Sequence, residues 1–155
     1  MKKHVLKLML ACTLIISAAA CSSDDDNSSV NNDLSEIISM AQSGSWKISS
    51  YVDSGNDETN HFTGYNFTFG SGGVLTATNG DATYTGTWSV TNDDDSNDDN
   101  PSGDVDFNIA FTSPADFADL TDDWHIVQVT ATTISLIDVS GGNGGTDTLV
   151  FVKNN

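Results

Sequence analysis

From Ser45 onward the large apolar residues fall on every second position, and no other feature so narrows what this chain can fold into. The clearest stretches are Tyr65-Phe67-Phe69, Tyr84-Gly86-Trp88-Val90 and Val105-Phe107-Ile109-Phe111. Between them lie short polar residues, among them Asn66, Thr68, Thr85, Thr87, Ser89, Asp106 and Asn108. Successive side chains of a strand point to opposite faces, so each stretch has one face to bury and one to leave wet. That is the signature of antiparallel sheet. Eight strands are expected, over 45–52, 61–69, 73–78, 82–91, 103–112, 123–130, 132–138 and 146–152.

Gly70-Ser71-Gly72-Gly73, Asn79-Gly80-Asp81 and Gly141-Gly142-Asn143-Gly144-Gly145 supply the turns. Two segments keep a helical period instead. Asp33 can cap a short N-terminal helix with Glu36 three residues on, and Leu34, Ile37, Ile38 and Ala41 share one face. A second short helix is expected near 114–120, with Ser113 as cap, Pro114 in the first helical position, and Phe117 and Leu120 on one side. Eight consecutive short strands favour an all-β, antiparallel up-and-down barrel, because closure removes the exposed edges; an open sandwich is the alternative.

The first residues carry a different message. Lys2, Lys3 and Lys7 precede an apolar run from Leu8 to Ser17 that is too short to span a bilayer. Ala18-Ala19-Ala20 and then Cys21 follow, and the whole resembles a bacterial lipobox. The resemblance implies a lipoprotein signal peptide over 1–20, cleavage before Cys21, and acyl chains on that cysteine that hold the protein to a membrane. Each buried methylene of such chains is worth about 0.8 kcal/mol. Residues 21–32, with Ser22-Ser23-Asp24-Asp25-Asp26-Asn27 at their head, form an acidic tether with little to pack. It is similar to the export signal of Bacteroidetes-type lipoproteins, which implies display on the outer face of the outer membrane; a spacer facing the periplasm is the other reading. Residues 33–155 then form one domain.

Processing at that point leaves Lys47 and Lys153 against 22 acids and no arginine. Such a charge excludes nucleic acid and anionic head groups as partners, since their phosphates would be repelled. Cys12 leaves with the signal and Cys21 is acylated, so neither a disulfide nor a thiolate site is expected. No cofactor is expected either.

Five pieces, in order, resemble a known family. They are Gly44-Ser45-Trp46, Tyr65-Asn66-Phe67-Thr68-Phe69 before a glycine turn, Gly86-Thr87-Trp88, Phe117-x-x-Leu120-x-x-x-Trp124, and Leu149-x-Phe151-x-Lys153. Together they span residues 44–153 and are similar to the lipocalin-like domain of Bacteroidetes lipoproteins. The resemblance implies that Trp46 closes the barrel floor and that a cation from the chain's end, here Lys153, packs across it.

Three sites are candidates. The barrel interior, with Phe67, Phe69, Tyr84, Trp88, Phe107 and Phe111 facing it, would either hold a small hydrophobic molecule or be plugged by its own rings. The acidic loop offers Asp93, Asp95, Asn97, Asp99 and Asp104 as oxygen donors for calcium. It departs from an EF-hand at Asp98, where glycine is needed, and at Asp104, which is shorter than glutamate, so a solvated loop is favoured. For catalysis, His61 and His125 stand without a nucleophile elbow or an HExxH pattern, so an enzyme is not expected. The leading reading is a lipid-anchored, non-catalytic, lipocalin-like barrel that binds a small hydrophobic molecule. The alternative is an interaction lipoprotein with a filled barrel and an acidic surface for a partner or cations.

Overall fold

The structure, a computed structural model, describes residues 34–93, 104–139 and 145–154. Cys21, the 21–32 tether, the Asp33 cap and the loop donors Asp95, Asn97 and Asp99 lie outside the described residues. Helix α1 (Leu34–Gln42) leads into β1 (Trp46–Asp53). After a two-residue strand β2 (Asn56–Asp57) and a 3-10 turn (Thr59–Phe62) come β3 (Asn66–Phe69), β4 (Val74–Thr78), β5 (Thr83–Asp93) and β6 (Asp104–Ala110). The short helix α2 (Ala115–Ala118) then precedes β7 (Asp122–Val129), β8 (Thr133–Val139) and β9 (Thr146–Lys153).

Each long strand pairs antiparallel with the next, and β9 returns to β1 from Trp46↔Lys153 to Val52↔Thr148. The result is a closed, eight-stranded up-and-down barrel, with β2 a short return alongside β1. Closure is uneven: β1 meets β3 through the single pair Trp46↔Phe67. The alternation decides which face is buried. Phe67, Phe69, Leu75, Ala77, Trp88, Phe107, Ile109, Leu149 and Phe151 all point in, and the threonines of β4 and β5 point out.

Two expectations need correction. The second strand does not run 61–69. Its first residues form the 3-10 turn, the chain reverses at Gly64 (φ 86°), and only Asn66–Phe69 pair as a strand. Phe62 explains why: it lies out of phase with Tyr65-Phe67-Phe69, and a turn lets it be buried with them. Pro114 is not the first helical residue but stands before the helix in extended conformation (ψ 179°), and Ser113 makes no cap. A helix of four residues, Ala115–Ala118, is all that remains of 114–120.

Gly86 shows how tightly the wall is packed. It takes an inward position on β5, and a Cβ there would meet the Ala110 carbonyl oxygen and lie 2.8 Å from Phe111 Cδ1. Gly86→Val is therefore expected to cost about 1–3 kcal/mol through overpacking, seen as a lower urea midpoint with an unchanged slope.

Candidate functional site

The end of the barrel where β1 begins and β9 finishes is its floor. Here α1 packs against β3 and β5, burying Ile37 and Ala41. Trp46 is fully buried, and its indole N–H donates to the Ala41 carbonyl at 2.8 Å, tying helix to strand. Lys153 Nζ lies 5.7 Å from the centre of the Trp46 ring and donates to Ser43 Oγ at 2.9 Å. That distance falls within cation–π range. The lysine stem crosses Gly44, where φ is 138° and a Cβ would stand 3.1 Å from Lys153 Cε.

The opposite end, the mouth, is closed by the 3-10 turn and α2. Phe117 is the hub: its ring centre lies 4.8 Å from Tyr84, 5.0 Å from Tyr65, and 5.3 Å from both Phe62 and Phe111. Tyr51 crosses beneath it and donates its hydroxyl to the Asp119 carbonyl at 2.7 Å. Burial first, then the carboxylates of Asp53, Asp119, Asp147 and Glu58, hold that phenol protonated well above the usual range.

Between floor and mouth the rings are continuous. Phe67 meets Phe151 at 5.4 Å, Phe151 meets Phe69 at 5.4 Å, and Phe69 meets Trp88 at 5.2 Å and Phe107 at 5.3 Å. Trp88 stacks on Phe107 at 5.6 Å and donates its indole N–H to the Gly70 carbonyl at 3.0 Å. So five of the six residues expected around a ligand are buried, Tyr84 is half-buried, and each touches another ring. Tyr65, Phe62, Phe117 and Phe151 complete the set; none was among the six, because their convergence depends on how the ends fold over.

The other candidates separate. Asp93 and Asp104 are opposite in backbone register, as the last pair of β5 and β6. Among the described residues no group of three His, Cys, Asp or Glu is arranged to hold a metal ion. His61 sits in the 3-10 turn rather than opening a strand, 3.4 Å from Glu58 and 3.9 Å from Asp116. His125 is on the outer wall, its Nδ1 3.1 Å from Asp106 Oδ1. Among the described residues no helix is long and apolar enough to cross a membrane.

A concavity lies outside the barrel, on the wall of β5, β6 and β7, and no sequence motif marked it. It is an open groove of about 610 Å3 lined by Gly73, Thr87, Ser89, Asn108, Ala110 and Asp123, with Asp122 at its edge. Register makes it: Thr87 faces Ala110, Ser89 faces Asn108, and Asn108 faces Asp123. Burial raises the Asp122 carboxyl to about 6, and the adjoining Asp123 carboxyl adds to the rise. Between the ordinary value of 3.8 and about 6 the folded chain therefore holds a proton that the unfolded chain releases. This group's stabilisation is thus present below that window, declines as pH rises through it, and is gone above it. Asp122→Asn is expected to raise the melting temperature at neutral pH and to change it little in acid below the window, measured by calorimetry across pH.

The chain matches no protein-family model and no curated protein. Among solved structures it is similar to a DUF4847 family protein from Bacteroides vulgatus, with 18% identity and a TM-score of 0.48, over 74% of this chain and 94% of that one.

Proposed function

We propose that this protein is a lipid-anchored, non-catalytic protein of the cell envelope whose barrel is a filled scaffold and whose contacts are made by its outer surface. The observation that carries this reading is the ring network. A carrier needs a lumen, and here aromatic side chains meet from Phe117 at the mouth to Trp88 and Phe107 nearer the floor. Ligand sites are concave and largely preformed, whereas rings at these spacings gain contact energy from one another. The interaction lipoprotein is thus preferred over the carrier of a small hydrophobic molecule. Anchorage rests on the sequence before Cys21, and display on the outer membrane's outer face rests on the acidic tether.

Three experiments test it. Fatty-acid, retinoid-like and quinone-like probes should give no saturable quenching of tryptophan emission and no rise in melting temperature, which linkage would require of a ligand that binds the native state. Saturable quenching that Phe111→Ala alters more than Thr87→Ala would restore the carrier. Cys21→Ser should leave the protein without acyl chains and release it from membranes, and protease added to intact cells should digest the native protein. A mutant that still partitions into detergent would refute the anchor, and full protection from protease would place the domain in the periplasm.

A further inference from the structure

The groove on the outer wall is a concavity with chemistry to offer. Its bed is built from small groups: the Gly73 backbone, the Ala110 methyl and the Thr87 side chain, laid side by side by the pairing of β5 with β4 and β6. Gly73 is held there by the Trp88 N–H, which donates to its carbonyl at 3.0 Å, and its φ of 78° suits glycine. A Cβ on Gly73 would also lie 3.1 Å from the Trp88 carbonyl oxygen. The sides of the groove are hydrogen-bonding groups: the Ser89 hydroxyl, the Asn108 amide, and the Asp122 and Asp123 carboxyls. Asn108 Nδ2 already donates to Thr91 Oγ1 at 2.9 Å, which fixes the amide and leaves its oxygen to accept.

This lining selects by exclusion. An anion would meet two carboxyls in a chain of strongly negative charge. A wholly apolar ligand would desolvate hydroxyl, amide and carboxyl groups without replacing their bonds. What fits is a ligand with a flat C–H face for the bed and hydroxyls around its edge, since a carboxylate can accept from two neighbouring hydroxyls at once. The groove's volume lies within the range of small-molecule sites. We infer that the β5–β6–β7 groove is a binding site for a neutral saccharide, with the Thr87–Ala110 bed under the ring face and Ser89, Asn108, Asp122 and Asp123 on its hydroxyls. Below about pH 6 the raised Asp122 carboxyl holds a proton, so in mild acid the pair can donate as well as accept. The site is independent of the interior, so it stands or falls apart from the filled-barrel reading.

The test is a titration of the full chain with cellobiose, maltose and N,N′-diacetylchitobiose, followed through backbone amide resonances. At least one should give saturable shifts at Gly73, Ser89, Ala110 and Asp123, leaving those of Phe69 and Phe107 in place. Glucuronate should bind more weakly than glucose, because its carboxylate meets the aspartates. Ala110→Trp, which fills the groove from an exposed position, should abolish the shifts at an unchanged melting temperature; Ser89→Leu serves if that variant does not fold. The inference is overturned if none of the three disaccharides saturates, if the shifts survive a variant that fills the groove, or if spermidine alone saturates the site, which would mark simple attraction of a cation to the two carboxyls.

Discussion

Phe107→Ala and Trp88→Ala are each expected to destabilise the protein by about 3–5 kcal/mol, the usual cost of deleting a large buried aromatic. Both side chains are in the core, stacked on each other and packed edge-on against Phe69. Removing Trp88 also leaves the Gly70 carbonyl without its donor. Thr87 is the next residue along β5, but it is exposed on the outer wall, so Thr87→Ala should cost only about 0.5 kcal/mol or less. Urea unfolding of the three variants, compared at a common slope, measures the contrast. Equal losses at all three positions would contradict the inward assignment of the even-numbered residues of β5.

Phe117→Ala should be comparably severe, although it lies in a helix of only four residues. Such a helix has almost no stability of its own. What holds it is a ring in contact with Phe62, Tyr65, Phe67, Tyr84 and Phe111. The loss is expected at about 3–5 kcal/mol from the buried volume, with aromatic pairings contributing on top. Asp116→Ala, on the exposed side of the same helix, should change stability little. A second readout separates cavity from collapse: an apolar void bounded by rings stays dry and admits a small apolar guest. The variant should therefore bind benzene where the native protein does not. A variant that is destabilised and still refuses benzene would mean that the mouth collapses rather than opens.

The barrel was legible because its signal is local. In β5 and β6, apolar residues, with Gly86 the one gap, alternate with threonine, serine, asparagine and aspartate, so period two settles both the strand and its buried face. The stretch before β3 misled because Tyr65, Phe67 and Phe69 extend an alternation that Gly64 breaks; Phe62, one position out of phase, was the available sign of a turn. Pro114 read as a helix start because its φ of −67° suits one, but its ψ keeps it extended. The meeting of Trp46 with Lys153 followed from family resemblance, not from periodicity, since residues at opposite ends of the chain carry no local mark of contact. For the lumen, the sequence left two readings open, a pocket or a plug of its own rings, and the ring packing that bears on the choice was not legible. It depends on Phe62 and Phe117 folding over the mouth, and both lie outside the barrel strands. The groove left no trace for the opposite reason: it is made of glycine, alanine, serine and threonine, whose chemistry signals nothing until three strands set them side by side.

The uneven closure of β1 bears on how the molecule carries tension. A pull on the N-terminal end of the chain enters through α1 and reaches the barrel at Trp46. There the indole is bonded back to Ala41, and β1 meets β3 through one residue pair. On its other side β1 lies along β9 for nearly its whole length. A pull along β1 with the body of the barrel held is thus resisted by a ladder of six pairs on the β9 side and by one pair on the β3 side. The six residue pairs that join the first and last strands should therefore outlast the single pair at Phe67, and the seam beside Phe67 is where the barrel is expected to part first.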